Sequence, residues 1–271
     1  MSRFASTVCA GTLVGLLVVS GPSRADQSEA GDYNEQALKE LAVSRLAHSL
    51  DPAVPIALGK AVVRQAALLR ARQLLASEGR RAQLDAGWNA DAPEWQLAEQ
   101  KLMQGPVELI RNEIEDPQWF YSVLESEISG VLDAEDADYI ATHFTTFAGN
   151  EQRILLQMRL IGEVLMANYT FTNRIDHTVP GLEDDLNELS IAYWELEPFR
   201  QRDFMNDPQA IRFAGQAAGL KYTRMLAIRG IEGFIRHIDA VAVSAQMSVD
   251  NAESDVADYI EMYRQRIRSA R

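Results

Sequence analysis

Residues 132–169 limit most strongly what this chain can fold into. They read as two helical patterns joined at Gly149: an acid-started one, LDAEDADYIATHFTTFAG, and an apolar one, NEQRILLQMRLIGEVLMANY. In the second, Ile154, Leu155, Met158, Ile161, Leu165, Met166 and Tyr169 occupy most of the circumference. Its one persistent polar line is Gln152, Arg159 and Glu163. A helix that is apolar nearly all round sits at the centre of a bundle or crosses a membrane. Arg153, Arg159 and Glu163 cut every run well short of the ~18 apolar residues a span needs. The pattern therefore predicts the central helix of an all-α bundle of about eight to ten helices, arranged around the hairpin 132–169.

The rest of the chain repeats helical signals and lacks strand signals: no segment alternates with period two between turn residues. Asp32 and Glu35 form a capping box for a first helix carrying Ala37, Leu38, Leu41, Leu46 and Leu50. Asp51-Pro52 and Pro55 break it, and a second helix is expected from Ile56 to Glu78. That helix would turn Ile56, Val62, Val63, Ala66, Leu69 and Leu74 inward, with Gly79 as its left-handed stop. Residues 26–81 read as an N-terminal helical pair, 82–93 as a loose loop, and 94–271 as the main bundle, with which the pair can form one domain. Pro93 starts a short helix that Gly105-Pro106 ends, and Asp116-Pro117 starts one with Trp119, Phe120 and Tyr121 in its core. Beyond Pro198, Asp207-Pro208 caps a helix expected to run unbroken to about Ala240 on a stripe of Ile228, Ile231, Ile235 and Ile238. Asp250 and Glu253 then cap an amphipathic tail with Val256, Ile260, Tyr263 and Ile267 inward and arginines at its end.

Residues 1–25 carry an early Arg3, an apolar stretch from Val8 to Val19, and Ser23 and Ala25 at the −3 and −1 positions of a cut before Asp26. That is the pattern of a cleaved export signal, so a periplasmic address is expected. Cys9, the chain's one cysteine, leaves with the leader, and the mature chain has no disulfide or thiolate chemistry. Losing Arg3 and Arg24 leaves 24 cations against 39 carboxylates, a net charge of −15. Such a surface repels nucleic acid and anionic lipid. No transmembrane span is expected in the mature chain.

Candidate chemistry is sparse. His48, His143, His177 and His237 are not spaced three or four apart, and no HExxH, phosphate loop, GxSxG elbow or dinucleotide fingerprint occurs. The acids of DAEDAD lack the central glycine and distal glutamate of an EF-hand loop, so a helix cap explains them. Arg64, Arg70, Arg72, Arg80 and Arg81 make one basic region, read as a face that pairs with the acidic remainder. The composition implies no metal, no cofactor and no assigned catalytic residue.

Two resemblances attach to particular residues. Glu125-Ser126 and Leu102-Met103-Gln104 resemble fragments of the lytic transglycosylases that cleave peptidoglycan, which would make Glu125 the acid/base. Their order along the chain is reversed relative to that family, and Lys101 stands where it has glycine. Glu135 followed by His143-Phe144-Thr145-Thr146-Phe147-Ala148-Gly149 resembles the motif of a family of exported, all-helical bacterial proteins with a domain of unknown function. There, an aromatic, a hydroxyl residue and a glycine recur at this spacing before a second helix. The resemblance spans residues 132–169, implies a periplasmic helical hairpin, and implies no activity. It marks His143, Phe144, Thr146 and Gly149 as hinge residues, with Gly149 left-handed and the threonines bonding backward to carbonyls.

The functional expectation is a non-catalytic binding or scaffolding protein of the periplasm that meets a protein partner through a helical surface. An alternative is a carrier of an apolar small molecule in a pocket formed by Trp119, Met158, Met166, Tyr169 and Trp194. Cleavage of peptidoglycan through Glu125 is the third reading.

Overall fold

The fold is a computed structural model, and it describes residues 24–146, 149–150, 152–154, 156, 212–213 and 215–270. Among these residues there are helices and turns but no strand. The helices are α1 (Arg24–Ala47), α2 (Ala53–Arg81), α3 (Pro93–Leu102), α4 (Gln104–Glu113), α5 (Gln118–Ser129) and α6 (Ala134–Phe144). They are followed by α7 (Ala217–Met225), α8 (Ile231–Asn251) and α9 (Val256–Ser269). A π turn, Leu226–Gly230, joins α7 to α8 without a break. The all-α bundle expected from the sequence is what the chain forms.

The most enclosed helix in the described part is α2, not the hairpin. Its 29 residues make a rod of about 44 Å. Ala61, Val63, Ala67, Ala71 and Leu75 on its different sides are all fully buried. Small side chains let α8, α4 and α3 close in on it. Gly59 faces Ile238, and Arg70 bonds Asp250, so α2 and α8 run in the same direction. On the far side, α1 packs along α6 and α5, with Arg45 on Asp138 at 2.7 Å. The enclosure of α2 is masked in the sequence by its five arginines between residues 64 and 81. Of its expected inward residues, Val62, Val63 and Leu74 are buried, but Leu69 is exposed. The second arm of the 132–169 hairpin beyond residue 156 lies outside the described residues. So do His177, Pro198 and Asp207-Pro208.

Several expected boundaries move, each for a local reason. Asp32 and Glu35 fall inside α1, which already runs from Arg24, so they are no capping box. The break expected at Gly105-Pro106 comes earlier, at Met103, because a proline is tolerated in the first turn of α4, where its missing N–H has no partner to lose. The last long helix is broken at Gln216, whose extended backbone (ψ 146°) starts α7, and it continues past Ala240 to Asn251. The π turn adds one residue to a helical turn and rotates what precedes it. Ile231 and Ile238 therefore stay buried while Ile228 turns outward, 57% exposed. Asp250 and Glu253 do not cap the tail: they bind Arg70 and Arg81 of α2, and α9 starts at Val256. The tail itself turns Val256, Ile260 and Tyr263 inward as its pattern predicts.

Candidate functional site

The hinge motif resolves into a single hydroxyl doing two jobs. Thr146 Oγ1 donates to the His143 carbonyl at 2.7 Å, closing the end of α6, and accepts from Gly149 N–H at 3.0 Å. The Thr146 carbonyl accepts from Asn150 N–H at 2.8 Å, so Thr146 is the N-cap of the next helical segment. Thr145 likewise bonds back to the Thr142 carbonyl, at 2.7 Å. Gly149 is not the left-handed residue expected: it is already helical and buried. A β-carbon there would lie 1.8 Å from the His143 carbonyl oxygen, so glycine is required by close approach. His143 donates through Nε2 to Gln152 at 2.6 Å and stacks on Phe213 at 4.7 Å, while Phe144 is buried beside Tyr222. These four residues build a joint between helices.

Of the expected apolar pocket, Met158, Met166, Tyr169 and Trp194 lie outside the described residues. Trp119 is packed in the core: its indole N–H donates to the Ile114 carbonyl at 2.9 Å and its ring stacks on His237 at 4.6 Å. His237 Nε2 in turn donates to the Glu113 carbonyl, satisfying one orphan acceptor at the end of α4. Glu125 is half-buried on α5, 3.8 Å from His48, whose ring stacks on Tyr121. The acids of DAEDAD are separately engaged: Asp133 caps α6, Asp136 holds Lys221 at 2.6 Å, and Asp138 holds Arg45.

A recess lies elsewhere, a cleft of about 630 Å³ between α2, α3, α4 and the end of the 82–92 loop. One wall is the face of α2 that carries Arg64, Leu68 and Arg72, four residues apart. The opposite wall is α3, with Gln96, Glu99 and Gln100, extended by Asp91 of the loop. Met103 and Val107 join Leu68 in the apolar part of the lining. Arg72 and Glu99 meet across the cleft at 2.8 Å, and their side chains are only 24% and 13% exposed. Gln96 donates to the Ala90 carbonyl at 2.9 Å, which leaves its Oε1 as an acceptor. The recess thus combines fixed charges, amide groups and an apolar floor within the size range of small-molecule sites.

A second network fixes the loop that forms the end of this cleft. Trp88 is buried, donates to the Leu75 carbonyl at 3.0 Å, and meets Trp95 and Tyr263 edge-on at 5.5 and 5.4 Å. Tyr263 donates to Asp85 at 2.5 Å, and burial with that bond pushes its phenol up to about 12. Glu94, on the first turn of α3, accepts from Arg266 Nε at 2.7 Å and from its Nη2 at 3.1 Å. That bond holds its carboxyl below the usual range. The loop expected to be loose is therefore clamped from α2, α3 and α9.

In the sequence Arg64 and Arg72 belong to a basic face, and Asp91, Gln96, Glu99 and Gln100 opposite them carry no motif. The signal was available: Arg64, Leu68 and Arg72 share one helical face, and Gln96 and Gln100 share another with Glu99 between them. No protein-family model matches the chain, and no curated protein or solved structure matches it either. No helix among the described residues is long and apolar enough to cross a membrane.

Proposed function

We propose that this is an exported, non-catalytic binding protein that holds a small amphipathic guest in the cleft between α2, α3 and α4. The observation that carries the reading is the cleft's composition: an ion pair and two amides set over Leu68, Met103 and Val107 in a recess of about 630 Å³. That mixed lining favours a guest with both polar and apolar parts over a purely apolar one. Clamping of the loop by Trp88 and Arg266 supports it further, because a pre-formed wall lowers the ordering cost of binding. Export is supported by the leader pattern of residues 1–25 and by the sequence motif 143–149, which resembles that of a family of exported helical proteins.

The address is tested by N-terminal sequencing of the protein recovered from the periplasmic fraction. Asp26 as the first residue is expected, and an intact Met1 overturns export. Binding is tested by incubating the mature chain with the small-molecule filtrate of an envelope extract, followed by repurification and native mass spectrometry. A mass adduct that Met103→Trp abolishes is expected. A bare mass, or the same adduct on a folded Met103→Trp variant, overturns the reading.

A further inference from the structure

We infer that the guest of this cleft is a primary amine carrying an aliphatic tail, its ammonium group held by Asp91 and Gln96 and its tail lying toward Met103. The inference rests on the cleft being a binding site and adds the chemistry of what it binds.

What a guest meets depends on which polar groups of the lining are already engaged. Arg72 is bonded to Glu99, and Arg64 has an interaction of its own. Both cations of the lining are therefore in use, and an anionic guest finds none open to it. Among the described residues the Asp91 carboxylate and the Gln100 amide have no partner. Gln96 uses its Nε2 on the Ala90 carbonyl, which brings its amide to the Ala90–Asp91 peptide and leaves Oε1 as an acceptor near Asp91. A carboxylate and an amide oxygen thus stand together at one end of the wall.

A primary ammonium group carries three N–H donors and no acceptor, which suits such a pair. A quaternary ammonium has no N–H and is held instead by aromatic faces. No aromatic side chain among the described residues lines the cleft. A carboxylate guest meets Asp91 as a like charge, and a wholly apolar guest leaves that carboxylate unanswered. The chain's net charge of −13 also favours the approach of a cation.

The direction of the tail follows from α3. Gln96 and Gln100 lie one turn apart, and the helix is capped by Met103, seven residues beyond Gln96 and about 10 Å along the axis. Met103 joins Leu68 and Val107 in the apolar part of the lining, so apolar surface and open acceptors occupy opposite ends of the wall. The Arg72–Glu99 pair between them is neutral as a unit, and an uncharged tail crosses it without meeting an unpaired charge. A chain advances about 1.2 Å per bond, since three backbone bonds cover about 3.5 Å in an extended peptide, so a tail of about eight carbons spans the distance.

The test is titration calorimetry of the mature chain with octylamine, against octanol, octanoate, octyltrimethylammonium and butylamine. Octylamine is expected to bind at one site, and the other four to bind at least about tenfold more weakly. Asp91→Asn should bring octylamine down to the level of octanol and leave octanol unchanged. Asp258→Asn, which removes an exposed carboxylate on α9, should change neither, and so separates a contact at Asp91 from the overall charge of the chain. Circular dichroism checks that each variant is folded. Equal binding of octylamine and octanol overturns the inference, as does an Asp91→Asn variant that holds octylamine as well as the parent chain. So does a failure of all five probes while the filtrate still yields an adduct sensitive to Met103→Trp, an outcome that leaves the binding reading intact. Failure of both overturns the two together.

Discussion

Gly79 and Gly149 look alike in sequence, each closing an apolar helical pattern, and each was expected to stop its helix in the left-handed conformation. Neither does. Gly79 lies inside α2, and the Trp88 indole occupies the space its side chain would take, with Cδ1 2.3 Å from an added β-carbon. Gly149 lies in the segment after α6 and is pressed against a backbone carbonyl, 1.8 Å from an added β-carbon. The obstacle in the first case is a side chain that can be removed. In the second it is the main chain, which cannot. A glycine at the end of a helical pattern therefore signals a need for space as readily as a need for a positive φ.

The difference is measurable in denaturant unfolding. Trp88→Ala should cost most, about 4 kcal/mol, because it empties a buried aromatic site. Gly149→Ala should cost about 3 kcal/mol, and Thr146→Ala in the same chain should not recover it, since the carbonyl of His143 remains in place. Gly79→Ala alone should cost about 2 kcal/mol, yet close to nothing once Trp88 is alanine, a coupling of about 2 kcal/mol. Additive losses at Gly79 and Trp88 would break the contrast between the two glycines.

The helical class and the inward faces of α5 and α9 were legible because they depend on local periodicity. Trp119, Phe120, Ile260 and Tyr263 are buried as expected. Tyr121 of the aromatic triplet is only half-buried, because it turns to the rim of the core and stacks on His48. What was not legible depends on partners distant in sequence. The clamp on the 82–92 loop needs Tyr263 and Arg266, about 180 residues away, and nothing local distinguishes it from a loose connection. Ile228 was misplaced for another reason: a π turn shifts the phase of a helix, and no residue of LAIRG announces it. The cleft shares the first problem, since its facing walls come from two helices whose polar faces look solvated when each is read alone.

The clamp should also respond to pH at both ends of the scale. In the clamp, Glu94 titrates below its ordinary value because of Arg266. Its contribution is present above about pH 4.3, the ordinary glutamate value, and is lost as pH falls through the lower folded-state value. Tyr263 has the opposite sign: its contribution is full below about pH 10 and is lost as pH rises through about 12. Fluorescence of Trp88 and Trp95 followed against pH should change at both ends. Glu94→Gln should remove the pH dependence of the acid change and Tyr263→Phe that of the alkaline one. An alkaline change that persists in Tyr263→Phe would show that another group opens the loop.

The smallest expected effect concerns the residue that does adopt the left-handed conformation. Gln83 has φ of 56°, and α2 ends around it in a Schellman arrangement, with Leu84 N–H on the Gly79 carbonyl and Gln83 N–H on the Arg80 carbonyl. A side chain at that φ is strained by roughly 1 kcal/mol, while glycine there adds flexibility to the unfolded chain. The first effect should exceed the second, so Gln83→Gly is expected to stabilise the protein by about 0.5 kcal/mol, read as a higher denaturation midpoint at unchanged slope. Combined with Gly79→Ala it should leave that variant's loss nearly unchanged. The left-handed turn and the space for Trp88 are separate requirements, met four residues apart in one helix end.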